Sequence, residues 1–85
     1  MSELAARFDA AKQQATQFPR RPDNKTLLRL YALYKQATVG NAPAVRPDPT
    51  DFVERAKYDA WNKLNDIPPN QAMQDYIDLV ETLRS

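Results

Sequence analysis

Seven prolines gathered in three places divide this 85-residue chain more firmly than any other feature. They are Pro19 and Pro22; Pro43, Pro47 and Pro49; and Pro68 and Pro69. Proline has no amide hydrogen to donate and its ring clashes with the preceding helical turn, so each group reads as a connection between helices. The single glycine, Gly40, lies where the second stretch should end, a common place for a left-handed C-cap. Four stretches remain, at 2–18, 24–39, 50–65 and 69–84. At ~1.5 Å per residue each would be roughly 24 Å long, a matched set for one bundle.

Apolar spacing supports helices throughout. Leu4, Phe8, Ala11, Ala15 and Phe18 recur at alternating steps of four and three. Leu27, Leu30, Tyr31, Tyr34 and Thr38 share a face of the second stretch, with Leu28 and Lys35 beside it. Val53, Ala56, Ala60 and Leu64 form the third stripe, flanked by Lys57 and Trp61. Met73, Tyr76, Ile77, Val80 and Leu83 form the fourth. No alternating strand pattern occurs, and one glycine is too few for hairpins. Asp23 is placed to cap the second helix, Asp51 with Glu54 resembles a capping box, and Pro69 suits a first helical position. The expected fold is all-α, as a single domain over residues 1–85.

Composition then removes whole classes of function. Without cysteine there is no disulfide or thiolate metal site. Without histidine, zinc chemistry and imidazole-based triads are excluded, and nothing activates Thr16, Thr26, Thr38, Thr50 or Thr82 as a nucleophile. Asp75 and Asp78 fall on a polar helix face, where solvated charge accounts for them. The apolar runs are too short to span a bilayer, and the N-terminus lacks the basic and apolar regions of a secretory signal. A cytoplasmic location is therefore expected. Net charge is +1, but residues 1–46 carry +5 and residues 47–85 carry −4. The basic charges are scattered and match no nucleic-acid recognition motif.

Several residues fit a plain bundle poorly. Tyr31, Tyr34 and Lys35 converge on one helical face, Lys57 stands one turn before Trp61, and Tyr76 interrupts an apolar stripe. Each has a structural explanation, since tyrosine wets its hydroxyl and lysine snorkels along its stem. Together they suit a phosphate-bearing aromatic ligand, with ammonium groups for phosphate and phenol rings for a base. Alanines at Ala11, Ala15, Ala56, Ala60 and Ala72 either let helices approach closely or line a groove for apolar bulk. A competing reading is a helical protein-interaction module with Tyr31, Tyr34 and Trp61 as its hot spot.

Tyr34-Lys35-Gln36-Ala37-Thr38-Val39-Gly40, preceded by Tyr31, resembles the acyl-CoA-binding protein family. Arg55-Ala56-Lys57-Tyr58-Asp59-Ala60-Trp61-Asn62-Lys63-Leu64 is similar to that family's Lys-Trp-Asp-Ala-Trp block, and the stretch from Ala72 to Glu81 gives a third match. The resemblance covers essentially the whole chain. It implies an up-down-down-up four-helix bundle that binds medium- and long-chain fatty acyl-CoA thioesters as a carrier and not as an enzyme. It further implies that Tyr31, Lys35 and Lys57 hold the ligand's 3′-phosphate, and that Tyr34 and Tyr76 contact adenine and ribose. Ala11, Leu27 and Leu28 match positions near the acyl chain, and Arg21 falls at a loop position that is often basic. Thr16 and Val53 stand where many members have ligand-reaching lysines, and Tyr58 replaces the first tryptophan of the block. Asp48-Pro49-Thr50 replaces a glycine-containing turn, and Pro68 replaces a capping hydroxyl residue. The expected partners are a fatty acyl-CoA ligand and acyl-CoA-using enzymes as clients. A monomer is expected, with no cofactor, metal, nucleic acid or stable membrane insertion.

Overall fold

Each proline group lies outside or at the first position of a helix in the computed structural model, which describes residues 2–85. The helices are α1 (Glu3–Gln14), α2 (Asn24–Thr38), α3 (Phe52–Asn62) and α4 (Pro69–Arg84), with no strand among the described residues. Their starts follow from side-chain chemistry. The amides of Ala5, Thr26 and Glu54 donate to Ser2 Oγ at 3.1 Å, Asp23 Oδ1 at 2.8 Å and Asp51 Oδ1 at 3.2 Å. These bonds satisfy amides that a helix leaves free at its first turn. Asp51 and Glu54 do not form a reciprocal box: the Asp51 amide donates to Asp48 O at 2.9 Å, and the Glu54 carboxylate turns to Lys57 at 3.7 Å. α4 begins on Pro69 with no side-chain cap, since the N-cap residue Pro68 has no side-chain acceptor, and proline at the first position removes one of the free amides.

Two helices end earlier than the apolar pattern predicts. α1 stops at Gln14 because the Thr16 hydroxyl and amide both donate to Gln13 O, at 2.8 and 3.3 Å, drawing the backbone into a turn. Phe18 still packs against the core from outside the helix. α3 stops at Asn62, and the next bonds span three residues: Leu64 N–H to Trp61 O at 2.9 Å and Asn65 N–H to Asn62 O at 3.2 Å. Asp66 then adopts φ 71°, a left-handed conformation braced by its amide donating to Asn41 Oδ1 at 2.8 Å. Gly40 ends α2 as expected, with φ 98° and its amide on Lys35 O at 3.2 Å.

Three helix pairs build the bundle: α2 with α4, α2 with α3, and α1 with α4. The Trp61 indole N–H donates to Gly40 O at 2.8 Å, joining the C-terminal ends of α2 and α3, which therefore run parallel. Gln36 Nε2 donates to Ile67 O at 3.0 Å, placing the end of α2 at the start of α4, so this pair is antiparallel. Phe8 meets Tyr76, and a crevice continues from there between Arg7–Gln14 and Ile77–Arg84, so α1 and α4 run parallel. The order is up-down-down-up. Leu33, Val80 and Ala72 are fully enclosed, and Phe8, Ala11, Ala32 and Ile77 are nearly so. Ala11, Ala32, Ala37 and Ala72 are buried in the core and allow close helix approach, while Ala56 and Ala60, with an edge of Ala32, border a surface groove.

A parallel neighbour requires a long return, and residues 39–51 provide it. Tyr58 Oη donates to Pro43 O at 2.6 Å, and Arg46 pairs with Asp59 at 2.8 Å, fastening that segment to α3. The phenol at this position thereby does work that an indole would have to do through a differently placed N–H. In the turn that leads into α3, both the amide and hydroxyl of Thr50 donate to Asp48 Oδ1, holding the Asp48 carboxyl below its usual range. No helix among the described residues is long and apolar enough to cross a membrane. Replacing Tyr58 with Phe should lower unfolding free energy by about 1 kcal/mol in urea titrations and speed amide exchange across 39–51. Unchanged stability and exchange would show that the Pro43 bond is not what holds this segment.

Candidate ligand-binding site

Parallel packing of α2 and α3 brings their side chains together along one face. Lys35 and Tyr31 lie one turn apart on α2, with the Lys35 ammonium 5.9 Å from the Tyr31 ring centre and 5.5 Å from that of Trp61. Lys57, from α3, places its ammonium 5.4 Å from the same Tyr31 ring. Two cations from separate helices therefore flank one phenol, where the electron-rich faces of Tyr31 and Trp61 offset their mutual repulsion. Lys57 also pairs with Glu54, an exposed contact that gives way readily to a stronger anion.

A second aromatic group lies beside the first. Phe8 meets Tyr76 edge-on at 5.2 Å and stacks with Tyr34 at 6.0 Å, while Tyr34 and Tyr76 are 6.5 Å apart at 53°. Tyr34 is exposed and Tyr76 buried, so this group offers an open ring with a phenol set behind it. Burial, aided by Tyr34, pushes the Tyr76 phenol above its ordinary value, and it stays a neutral hydroxyl at physiological pH.

From Tyr31 and Lys57 an apolar groove of about 480 Å³ runs toward the opposite ends of α2 and α3. Leu27, Leu28, Val53, Ala56 and Phe52 line it, with Arg21 and Asn24 at its rim. Phe52 and Val53 are 80% and 64% exposed, an unusual amount of hydrocarbon to leave in water at the edge of a groove. The Arg21 guanidinium is held by Pro22 O at 3.3 Å and Asn24 Oδ1 at 3.2 Å. The cations and the hydrocarbon thus meet at Tyr31 and Lys57.

The remaining sequence candidates fall elsewhere. Ala11 is buried in the core and borders the α1–α4 crevice instead of the groove. Thr16 lies beyond the end of α1 in a shallow hollow with Lys12. Trp61 is 9% exposed with its N–H bonded to Gly40 O, so it does not present the surface anchor that a protein-interaction hot spot needs. Lys12 and Phe52 were not legible as site residues. Lys12 lies on what reads as a polar face, though its spacing of four from Phe8 is a usable signal, and its ammonium lies over the Phe8 and Tyr34 rings. Among the described residues, no cluster of three or more acidic side chains is placed to hold a metal ion.

The fold and site define a class: an all-α binding domain in which a cationic, aromatic shelf opens into an apolar trough. The family model described as Acyl CoA binding protein matches residues 5–80. The chain is 38% identical over 80 residues to the Acyl-CoA-binding protein homolog of Drosophila melanogaster, covering 94% of this chain and 93% of that one. It is 47% identical over 78 residues to rat (Rattus norvegicus) Enoyl-CoA delta isomerase 2, covering 92% of this chain but only 20% of that much longer protein. Among solved structures, Oryza sativa Acyl-CoA-Binding Protein 2 superposes with a TM-score of 0.89 at 38% identity, covering 94% of this chain and 87% of that one. The chain belongs to the acyl-CoA-binding protein family.

The buried Tyr76 phenol has a consequence for stability at high pH. Its folded-state value lies above the unfolded value of about 10, so its contribution is present below that pH and is lost as pH rises through the raised value. Thermal unfolding between about pH 9 and pH 11 should therefore fall more steeply for the wild type than for Tyr76→Phe. Parallel slopes would contradict the assigned burial.

Proposed function

We propose that this chain binds medium- and long-chain fatty acyl-CoA thioesters and serves as a monomeric, cytoplasmic carrier and pool former for acyl-CoA-using enzymes. The observation that carries the reading is the meeting of Lys35 and Lys57 at Tyr31, at the mouth of an apolar groove. Family membership supports it. In this reading Tyr31, Lys35 and Lys57 hold the 3′-phosphate. Tyr34 and Tyr76 contact adenine and ribose, and the tail lies along Leu27, Leu28 and Val53 with Arg21 at the rim. Ala11 keeps α1 close behind the aromatic group, and Thr16, its hydroxyl donated to Gln13 O, supplies no charge beyond it.

Magnitudes divide the labour. Burying a methylene contributes ~0.8 kcal/mol, so ten of them give about 8 kcal/mol before ordering costs. Each charge-assisted bond to phosphate adds about 1.5–3 kcal/mol, less where solvent screens it. Tail and head thus contribute comparable amounts: the tail sets the dependence on chain length, and the head selects CoA esters over free fatty acids. No catalysis is proposed. The sequence holds no imidazole or thiol, and the Tyr31 and Lys57 side chains at the groove are assigned to binding. The isomerase activity named for the rat relative is not carried over, because the match spans a fifth of that protein.

Calorimetric titration tests the reading. Lys57→Ala should weaken palmitoyl-CoA binding by about tenfold or more while leaving helical circular dichroism unchanged. Shortening the acyl chain through the series palmitoyl, dodecanoyl and octanoyl should weaken binding at each step. A flat chain-length dependence, or an unaltered Lys57→Ala, would refute the arrangement.

A further inference from the structure

Lys12 lies on α1, apart from the residues assigned above to the ligand, and its role rests on the acyl-CoA reading. Its ammonium is 5.4 Å from the Phe8 ring centre and 5.5 Å from that of Tyr34. Its side chain is 36% exposed, so the stem lies against the protein and the charged end is directed at the rings. Beside it is an open, shallow hollow bordered also by Asp9, Gln13, Thr16 and Gln17, in which Lys12 is the cation. The Thr16 hydroxyl is turned back to Gln13 O at 2.8 Å. Asp9 pairs with Lys12 at 3.2 Å from a side chain that is 67% exposed. Such a solvated pair holds its members weakly and yields to a group with more charge.

We propose that Lys12 is a further binding residue, which closes the head-group site from the α1 side by contacting a phosphate of the CoA ester whose base lies on Tyr34. The geometry supplies the reason. Lys35 and Lys57 reach the ligand through Tyr31, from α2 and α3, whereas Lys12 approaches Tyr34 from α1. The CoA head carries phosphate at two places on its ribose, as a 3′-monoester and a 5′-diphosphate. The two groups stand on different carbons of the ribose, so a monoester held by Lys35 and Lys57 would leave the diphosphate in need of a cation elsewhere. Lys12 supplies that counter-charge. A sequence without lysine at Thr16 or Val53 thereby still surrounds the head group with cations from three helices.

The test uses the full chain and dodecanoyl-CoA, titrated calorimetrically at low and high salt. Lys12→Met keeps the stem and removes the charge, Lys12→Arg keeps the charge, and Arg84→Gln removes a distant charge at the end of α4. Lys12→Met should raise Kd by about tenfold at low salt and less at high salt, with Lys12→Arg restoring most of the affinity. Arg84→Gln should stay within about twofold of the wild type. Wild-type affinity in Lys12→Met, alongside a weakened Lys57→Ala, would overturn the role of Lys12 and leave the acyl-CoA reading standing. Equal losses in Lys12→Met and Arg84→Gln would reduce the effect to net charge and overturn it as well. A wild-type chain that ignores dodecanoyl-CoA would sink the reading beneath both.

Discussion

The hydrogen bond from the Trp61 indole to Gly40 O holds the C-terminal ends of α2 and α3 together. It ties the last turn of α3 to the residue that follows the C-cap of α2, and the two neighbouring helices run in the same direction. Antiparallel neighbours would need only a short turn, but parallel ones require the long 39–51 return that Tyr58 and Arg46 fasten down. Trp61 also lends its ring to the Lys35 ammonium. One side chain thus joins the two helix ends through its nitrogen and faces the Lys35 ammonium with its ring.

Once α2 and α3 lie parallel, the site follows. Residues at equal heights on the two helices face each other, so Lys57 arrives beside Tyr31 and one turn from Lys35. Further toward the helix N-termini, the same seam carries Leu27, Leu28, Val53 and Ala56. Polarity therefore changes along one continuous groove. A ligand with an anionic head and a hydrocarbon tail matches that gradient, while a free fatty acid or a free nucleotide satisfies only one end. Beside Tyr31, Phe8 of α1 packs against Tyr34 and Tyr76, forming a second aromatic group outside the groove.

Much of this was legible before any coordinates. The proline groups located every connection, Asp23 and Gly40 marked the two ends of α2, and the apolar stripes named much of the core, though they omitted Leu33, Ala32 and Ala37 and included the exposed Val53 and Thr38. The signal failed where burial and helicity part company. Phe18 and Leu64 keep their places in the stripes and are covered by the core, yet neither lies in a helix. Thr16 and Asp66 redirect the backbone locally, through a hydroxyl bond and a left-handed residue, and neither device leaves a trace in hydrophobic spacing. Lys35 and Lys57 stood out because they interrupt apolar faces. Lys12 did not, because a lysine on a polar face is unremarkable until the rings beneath its ammonium are seen. Trp61 was open to a competing reading as a hot-spot anchor until its burial and its bond to Gly40 removed that option.

The central claim is that two ammonium groups on different helices act on one phosphate monoester. Phosphorus NMR of the bound acyl-CoA measures this directly, because the chemical shift of the 3′-phosphate follows its second ionisation. A free phosphate monoester ionises near pH ~6, and two adjacent ammonium groups should favour its dianion and lower that midpoint. The account predicts a depressed midpoint in the wild-type complex that returns toward the free value when Lys35 and Lys57 are replaced by Met. A bound 3′-phosphate that titrates as it does in free solution would contradict it.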